Sequence, residues 1–142
     1  GEIIDGKMVL SNIGVLADVL WYDLPCHAHQ VNLGASVIMP NHMHEILILN
    51  ANSNNEPPNY GETRFQNQGK NTASAMVGGY KSALSKHTHR LDFDFAWQAR
   101  FHDHIIRNDL EYQRINDYIE TNPQRWHEDR FYGQESHSTH TE

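Results

Sequence analysis

The spacing of apolar and polar residues along the chain predicts short strands mixed with amphipathic helices. Residues 2–10 have β-favouring ends around Asp5-Gly6, a dipeptide typical of tight turns, which predicts a hairpin. After Ser11, which is a favoured helix N-cap, apolar residues recur at helical spacing over residues 12–24. Pro25 is predicted to end this first helix.

The rest of the pattern predicts further strands and helices in alternation. They are a strand at 35–39, a strand at 43–49, a helix from residue 71, a strand at 97–106 and a helix that ends near Asn122. Asn108 or Asp109 should cap the last helix, and Pro123 should end it. The order of elements favours an α+β fold with helices packed on an antiparallel sheet.

The length of 142 residues suits one domain, which we assign to residues 1–133. Residues 51–70 are rich in Asn, Gln, Pro and Gly and predict a long mobile loop, and residues 134–142 predict a flexible tail. No apolar run approaches the length of a membrane span, and the start of the chain lacks signal-peptide features. A cytoplasmic protein without membrane partners is therefore expected, and Cys26 alone cannot form an internal disulfide.

The net charge of −7 argues against generic nucleic-acid binding, but its distribution is uneven. Residues 63–91 contain no Asp or Glu, and their positive residues are Arg64, Lys70, Lys81, Lys86 and Arg90. This basic window could dock a polyanion, or it could be a solvated helix face that happens to carry lysines. Charge alone leaves both interpretations open.

His42 and His44 begin the second apolar strand, where alternation places both imidazoles on the same face. Two nitrogen ligands can then meet one cation, provided that a neighbouring element supplies at least a third ligand. The alternative is a pair of surface or packed histidines without a ligand.

The last helix offers a candidate nucleophile and a candidate third ligand. Tyr118 and Asn122 are four residues apart and share a helix face. Tyr112 and Asn116 repeat this spacing, but Tyr112 falls in the apolar stripe of the helix. Tyr118 is therefore the more available hydroxyl, although helix packing and an ordinary helix end before proline would also explain both residues.

Three separated motifs carry a resemblance to a known family. They are Met39-Pro40-Asn41-His42-Met43-His44, Trp97-Gln98 leading into His102-Asp103-His104-Ile105-Ile106-Arg107, and Tyr118-Ile119-Glu120-Thr121-Asn122-Pro123. Over residues 1–126 the chain resembles the single-tyrosine HUH transposases, in particular the REP-associated tyrosine transposases. The resemblance implies a ferredoxin-like sheet and a bacterial enzyme that acts at the nucleoid, where it cuts and rejoins single-stranded DNA beside hairpins.

The resemblance also implies roles for individual residues. His42, His44 and Asn122 would hold Mg²⁺ or Mn²⁺, and Tyr118 would become a 5′-phosphotyrosine. Phosphate contacts are predicted for Lys81, Lys86, Arg90 and Arg107. Members of that family occur as monomers and as dimers, so the resemblance is compatible with a monomer or a homodimer.

Two departures from the family pattern bear on these expectations. Relatives usually have one more strand before the segment that begins here at Gly1, and they tend to be basic overall. A hairpin-DNA-binding protein that no longer cleaves is therefore the principal alternative. A metal hydrolase that uses water, with Tyr118 only packing, is a second alternative.

Overall fold

The computed structural model describes residues 1–28, 30–50, 73–97 and 102–133, and within them the chain forms two antiparallel strand pairs, three α-helices and one 3-10 helix. In chain order these are β1 (Glu2–Ile4), β2 (Lys7–Val9), α1 (Asn12–His27), β3 (Val31–Ile38), β4 (Met43–Leu49), α2 (Ala73–Arg90), α3 (Asp109–Thr121) and the 3-10 helix (Asn122–Glu128).

The N-terminal hairpin and the start of α1 are confirmed. Asp5 and Gly6 both have positive φ, 50° and 71°, the backbone that a tight hairpin turn requires. The Ser11 hydroxyl accepts the Gly14 N–H at 3.2 Å and caps α1. The predicted end at Pro25 is wrong, because α1 continues to His27. A proline in the last turn removes only its own N–H bond, and the next turn still closes through Ala28 N–H to the Leu24 carbonyl at 3.1 Å.

Strands β3 and β4 pair antiparallel, with Val31 opposite Leu49 and Val37 opposite His44. An irregularity between Leu33 and Ser36 shifts their register. Side chains along β4 alternate between two faces of this pair, so Met43 contacts the hydrophobic core while His44 lies on the opposite face.

Helices α1 and α2 cover the core face. The buried cluster comprises Trp21, Leu24, Val31, Met76 and Tyr80. The rings of Trp21 and Tyr80 meet edge to face at 5.5 Å, and the Tyr80 hydroxyl donates to the Ala17 carbonyl at 2.9 Å. This bond satisfies the polar tip of a tyrosine that is otherwise buried.

Helix α3 packs on the other face of the sheet, where Gly34 permits its close approach. A Cβ at Gly34 would lie 2.9 Å from the Cβ of Ile46 and 3.2 Å from the Tyr112 hydroxyl. The Asn108 side chain caps α3 by accepting Glu111 N–H at 2.8 Å, and α3 ends at Thr121 before Pro123, as predicted.

The predicted strand at 97–106 is wrong for the part of it that the structure describes, residue 97 and residues 102–106, where no strand forms. Trp97 instead packs beside Tyr80, and its indole N–H donates to the Lys81 carbonyl at 3.0 Å. Burial against α2 satisfies this aromatic residue without strand pairing. The predicted loop at 51–70 and the predicted tail at 134–142 lie outside the described residues.

The predicted fold class is confirmed: the chain is α+β, with helices packed on an antiparallel sheet, consistent with a ferredoxin-like fold. Among the helices that the structure describes, none has the length and apolar character to cross a bilayer.

Candidate active site

Two imidazoles lie together on the α3 face of the sheet. Nε2 of His42 is 3.1 Å from Nε2 of His44, and the rings meet edge to face. Nitrogen ligands lie about 2.0–2.1 Å from a zinc ion, so two of them on one ion are separated by about 3 Å. The pair is therefore spaced as two ligands of a single cation would be.

Asn41 sets the orientation of His42. Its Oδ1 lies 2.8 Å from His42 Nδ1, and its amide nitrogen donates to the Phe131 carbonyl at 3.0 Å. Because a carbonyl oxygen only accepts, Nδ1 of His42 carries the hydrogen and Nε2 presents its lone pair to His44. Asn41 thus joins the histidine motif to the end of the described chain.

Both histidines are held in the neutral form that a metal ligand needs. Burial, and secondly the neighbouring His44, lower the pKa of His42 to about 4. Burial likewise lowers the pKa of His44. At neutral pH neither ring therefore carries the positive charge that would repel a cation.

Asp129, immediately after the 3-10 helix, completes a cluster with the two histidines. One ligand atom from each of the three residues lies within 4.8 Å of the others, and Asp129 Oδ2 is 3.7 Å from His42 Nε2. Burial alone would raise the pKa of Asp129, but the hydrogen bond from Phe131 N–H to Oδ1 and the nearby His42 outweigh it and lower the pKa. Asp129 is therefore ionised at neutral pH.

Tyr118 lies beside this cluster on α3. Its ring meets the His44 ring edge to face at 5.3 Å, and its hydroxyl donates to Asp129 Oδ2 at 3.3 Å. The residue is 45% exposed, so a ligand can reach it. Burial, followed by the charge of Asp129, raises the pKa of Tyr118.

Asn122 is buried next to the same carboxylate. Its amide nitrogen donates to Asp129 Oδ2 at 3.4 Å, whereas its Oδ1 has no hydrogen-bond partner in the described part of the chain. A buried acceptor without a partner is costly in a native site. Two imidazole nitrogens, a carboxylate and an amide oxygen form a donor set that fits a divalent first-row cation or Mg²⁺.

A pocket opens beside Tyr118. Its lining residues are Tyr118, Asn122, Arg125, Glu128, Asp129 and Arg130. Arg125 pairs with Glu128 at 2.7 Å, and the Arg130 guanidinium lies 4.6 Å from the centre of the Phe131 ring. Two arginines thus lie around the exposed tyrosine, together with the carboxylates of Glu128 and Asp129.

The four residues predicted to contact DNA lie away from the histidine pair. Lys81, Lys86 and Arg90 belong to α2, on the core side of the sheet, and Lys81 lies over the Trp97 ring at 5.0 Å. Arg107 precedes α3, and its backbone N–H donates to Glu111. Arg107 and Tyr118 are eleven positions apart, which corresponds to about 16 Å along a helix.

The candidate residues from the sequence, His42, His44, Tyr118 and Asn122, come together, but Asp129 was missed. Asp129 stands in a charged stretch, His127-Glu128-Asp129-Arg130, without a ligand spacing that would mark it. Only the fold brings it back to the histidines. Arg125 and Arg130 were missed for the same reason.

No protein-family model and no solved structure matches the chain. It is similar to an uncharacterized protein of Haemophilus influenzae, with 31% identity over 137 residues that cover 93% of this chain and 76% of that protein. The chain belongs to the same family as this Haemophilus influenzae protein.

Proposed function

We propose that the protein is a metal-dependent tyrosine transposase that cleaves and rejoins single-stranded DNA at hairpin-flanked sites. One observation carries the proposal: the exposed hydroxyl of Tyr118 shares Asp129 with the His42–His44 pair. Nucleophile and cation site would thus lie side by side, as in-line attack on a phosphodiester requires. The family resemblance of the three motifs supports the same activity.

In the proposed reaction, the Tyr118 oxygen attacks the scissile phosphorus and forms an O–P ester while the bond to the 3′ oxygen breaks, and the tyrosine proton ends on that departing oxygen. The products are a 5′-phosphotyrosine and a free 3′-hydroxyl. The hydrogen bond to Asp129 orients the tyrosine hydroxyl before attack. Because the raised pKa keeps Tyr118 protonated at neutral pH, the reaction needs positive charge beside the forming ester.

His42, His44 and Asn122 would hold Mg²⁺ or Mn²⁺, which supplies that positive charge and polarises a phosphate oxygen. Neutral imidazoles are better ligands for Mn²⁺ than for Mg²⁺, so tighter Mn²⁺ binding is expected. Arg125 and Arg130 line the pocket at Tyr118 and would attract the phosphate.

Rejoining uses the energy kept in the tyrosyl ester. A second 3′-hydroxyl attacks the phosphotyrosine, reverses the ester formation and releases Tyr118 without a nucleotide cofactor. Two such cut-and-join cycles would move a DNA segment. The proposed partner is hairpin or single-stranded DNA in the cytoplasm, at the nucleoid.

A covalent adduct tests this proposal. The full chain is incubated with Mn²⁺ and labelled single-stranded hairpin oligonucleotides and analysed on a denaturing gel. A labelled protein band that maps to Tyr118 is expected, with a matching 3′-hydroxyl fragment. Cleavage without an adduct would instead assign a hydrolase that uses water.

The second candidate is a hairpin-DNA-binding protein that does not cleave. The exposed Lys86 and Arg90 on α2 favour it, because they lie away from the histidine pair and would bind DNA phosphates without taking part in cleavage. Tight, structure-selective binding without cleavage at any Mn²⁺ concentration would support this alternative.

A further inference from the structure

We propose that Asp129 is itself a metal ligand, so that the candidate centre is a site of two histidines and one carboxylate. This inference rests on the proposed function and adds a residue from the far end of the described chain. The sequence motifs supplied only His42, His44 and Asn122.

The first argument is position. Asp129 Oδ2 lies 3.7 Å from His42 Nε2, and the ligand atoms of Asp129, His42 and His44 lie within 4.8 Å of one another. Small side-chain adjustments would bring these three atoms onto one cation. In the described residues this is the one group of histidine and acidic side chains with such spacing.

The second argument is burial. The Asp129 side chain is only 2% exposed, yet Oδ2 accepts hydrogen bonds from two neutral donors, the Tyr118 hydroxyl and the Asn122 amide. A buried carboxylate gains more from a cation than from neutral donors. A divalent ion between Asp129 and the imidazoles would supply this charge.

The third argument is orientation. Phe131 N–H binds Oδ1 of Asp129 at 2.8 Å, which turns Oδ2 toward the histidine pair. The Asn122 amide nitrogen donates to Oδ2 while its own oxygen is buried and without a partner in the described chain. Rotation of the Asn122 amide by a half-turn exchanges the positions of its nitrogen and its oxygen. The amide oxygen would then lie beside Asp129 Oδ2 at the ion.

The ligand set also has a chemical consequence. Two imidazoles alone suit softer ions, whereas carboxylate and amide oxygens suit Mg²⁺ and Mn²⁺. Four protein ligands, the two imidazoles, the Asp129 carboxylate and the Asn122 amide, would leave two positions of a six-coordinate ion open for phosphate oxygens.

The test measures ion binding, without DNA. Mn²⁺ affinity is determined by electron paramagnetic resonance of the free ion for the full chain, Asp129→Asn, His42→Ala and Glu128→Gln. Asp129→Asn keeps an oxygen for Phe131 N–H and should weaken binding about tenfold or more. Glu128→Gln is the matched control, because it removes the adjacent carboxylate, which is half-exposed and paired with Arg125, and it should change affinity less than about twofold.

A second measurement separates a ligand from a residue that acts at a distance. The visible absorption of Co²⁺ depends on its ligands, so the spectrum at saturating Co²⁺ should change in Asp129→Asn and stay unchanged in Glu128→Gln. Asp129→Glu, which moves the carboxylate by one methylene, should also change the spectrum and serves if the Asn variant does not fold.

The outcomes are distinct. Wild-type affinity or an unchanged Co²⁺ spectrum in the Asp129 variants, with binding lost in His42→Ala, would overturn this inference alone. No ion binding by the wild-type chain would overturn both this inference and the metal requirement of the proposed function.

Discussion

Tyr118 and Tyr112 belong to the same helix but face different surroundings. The Tyr112 hydroxyl lies against the β3–β4 pair near Gly34, whereas Tyr118 is 45% exposed beside His44. The half-buried ring of Tyr112 holds α3 on the sheet. Only Tyr118 presents its oxygen to both solvent and the candidate cation site.

Tyr118→Phe should abolish the DNA adduct while folding and DNA binding persist, because the change removes one hydroxyl and its bond to Asp129. Tyr112→Phe is the control and should leave adduct formation intact. Both are measured on denaturing gels with labelled hairpin oligonucleotides. An adduct that survives in Tyr118→Phe, mapped to another residue, would contradict the proposed nucleophile.

Glu45 and His42 make opposite contributions to stability as pH changes. Burial raises the pKa of Glu45 from 4.5 to about 8, so its contribution is full below pH 4.5 and is lost as pH rises to 8. The pKa of His42 falls from 6.5 to about 4, so its contribution is full above pH 6.5 and is lost as pH falls to 4. Between pH 6.5 and 8, the change that Glu45 causes in the free energy of unfolding is therefore not offset by His42.

The free energy of unfolding should fall by about 2 kcal/mol between pH 6.5 and 8 through Glu45. Glu45→Gln, which does not ionise, should remove this part of the fall. Urea unfolding of both proteins at the two pH values measures it. An equal fall in the variant would show that Glu45 does not retain its proton in the folded chain.

The local sequence was enough to predict that some of the site residues lie together, but it could not predict the others. Strand alternation placed His42 and His44 together, because that geometry depends only on two positions that are two residues apart, His42 directly before β4 and His44 within it. Asp129 could not be found this way, since its approach to His42 depends on how α3 and the 3-10 helix pack on the sheet.

At the scale of elements, caps predicted helix starts well. Ser11 and Asn108 each accept the N–H that an N-cap side chain should accept. The predicted helix end at Pro25 was wrong because a proline in the last turn removes only its own hydrogen bond. The predicted strand at 97–106 was wrong, for the residues of it that the structure describes, because tertiary contacts decide the position of Trp97. Trp97 contacts α2, and the residues next to it in the sequence do not indicate this contact.

The position of α3 depends on Gly34. Gly34→Ala should destabilise the chain by about 1–3 kcal/mol, because the new Cβ would crowd Ile46 and the Tyr112 hydroxyl. Gly78→Ala is a matched control: in the described part of the chain, no atom other than its chain neighbours and the nearby backbone of α2 lies within 4 Å of the added Cβ, and alanine in α2 should stabilise by up to about 1 kcal/mol.

Thermal unfolding compares these two glycine variants. Equal stability of Gly34→Ala and the wild type would mean that α3 can move away from the new Cβ without loss of stability. If Gly34→Ala folds, we also expect weaker adduct formation, because displacement of α3 moves Tyr118 away from His44.

At the scale of the whole molecule, positive charge lies on two sides of the sheet. Lys86 and Arg90 are exposed on α2, whereas Arg125 and Arg130 line the pocket at Tyr118. If the proposed substrate contacts both, its strand must pass around the sheet from one side to the other. An acidic chain would then bind DNA through local charges, with strong dependence on salt.

Joint replacement of Lys86 and Arg90 by Gln should weaken binding of hairpin DNA and reduce the slope of log affinity against log salt by about 1.4, for two phosphates of a single strand. Lys7→Gln, an exposed change on the N-terminal hairpin, is the control and should leave the slope unchanged. Fluorescence anisotropy at several salt concentrations measures both. An unchanged slope in the double variant would restrict DNA contacts to the pocket side.

The hydrogen bond between Asn41 and Phe131 joins residues that are 90 positions apart. A ribosome adds about 5–20 residues per second, so about 5–18 s pass between synthesis of the two ends of this contact. For nearly all of that interval the nascent chain carries the histidines, and later Tyr118, without the carboxylate of Asp129. Under the proposed function, chains that end before Asp129 would lack the complete ligand set, so DNA cleavage would begin only after the last part of the site has been synthesised.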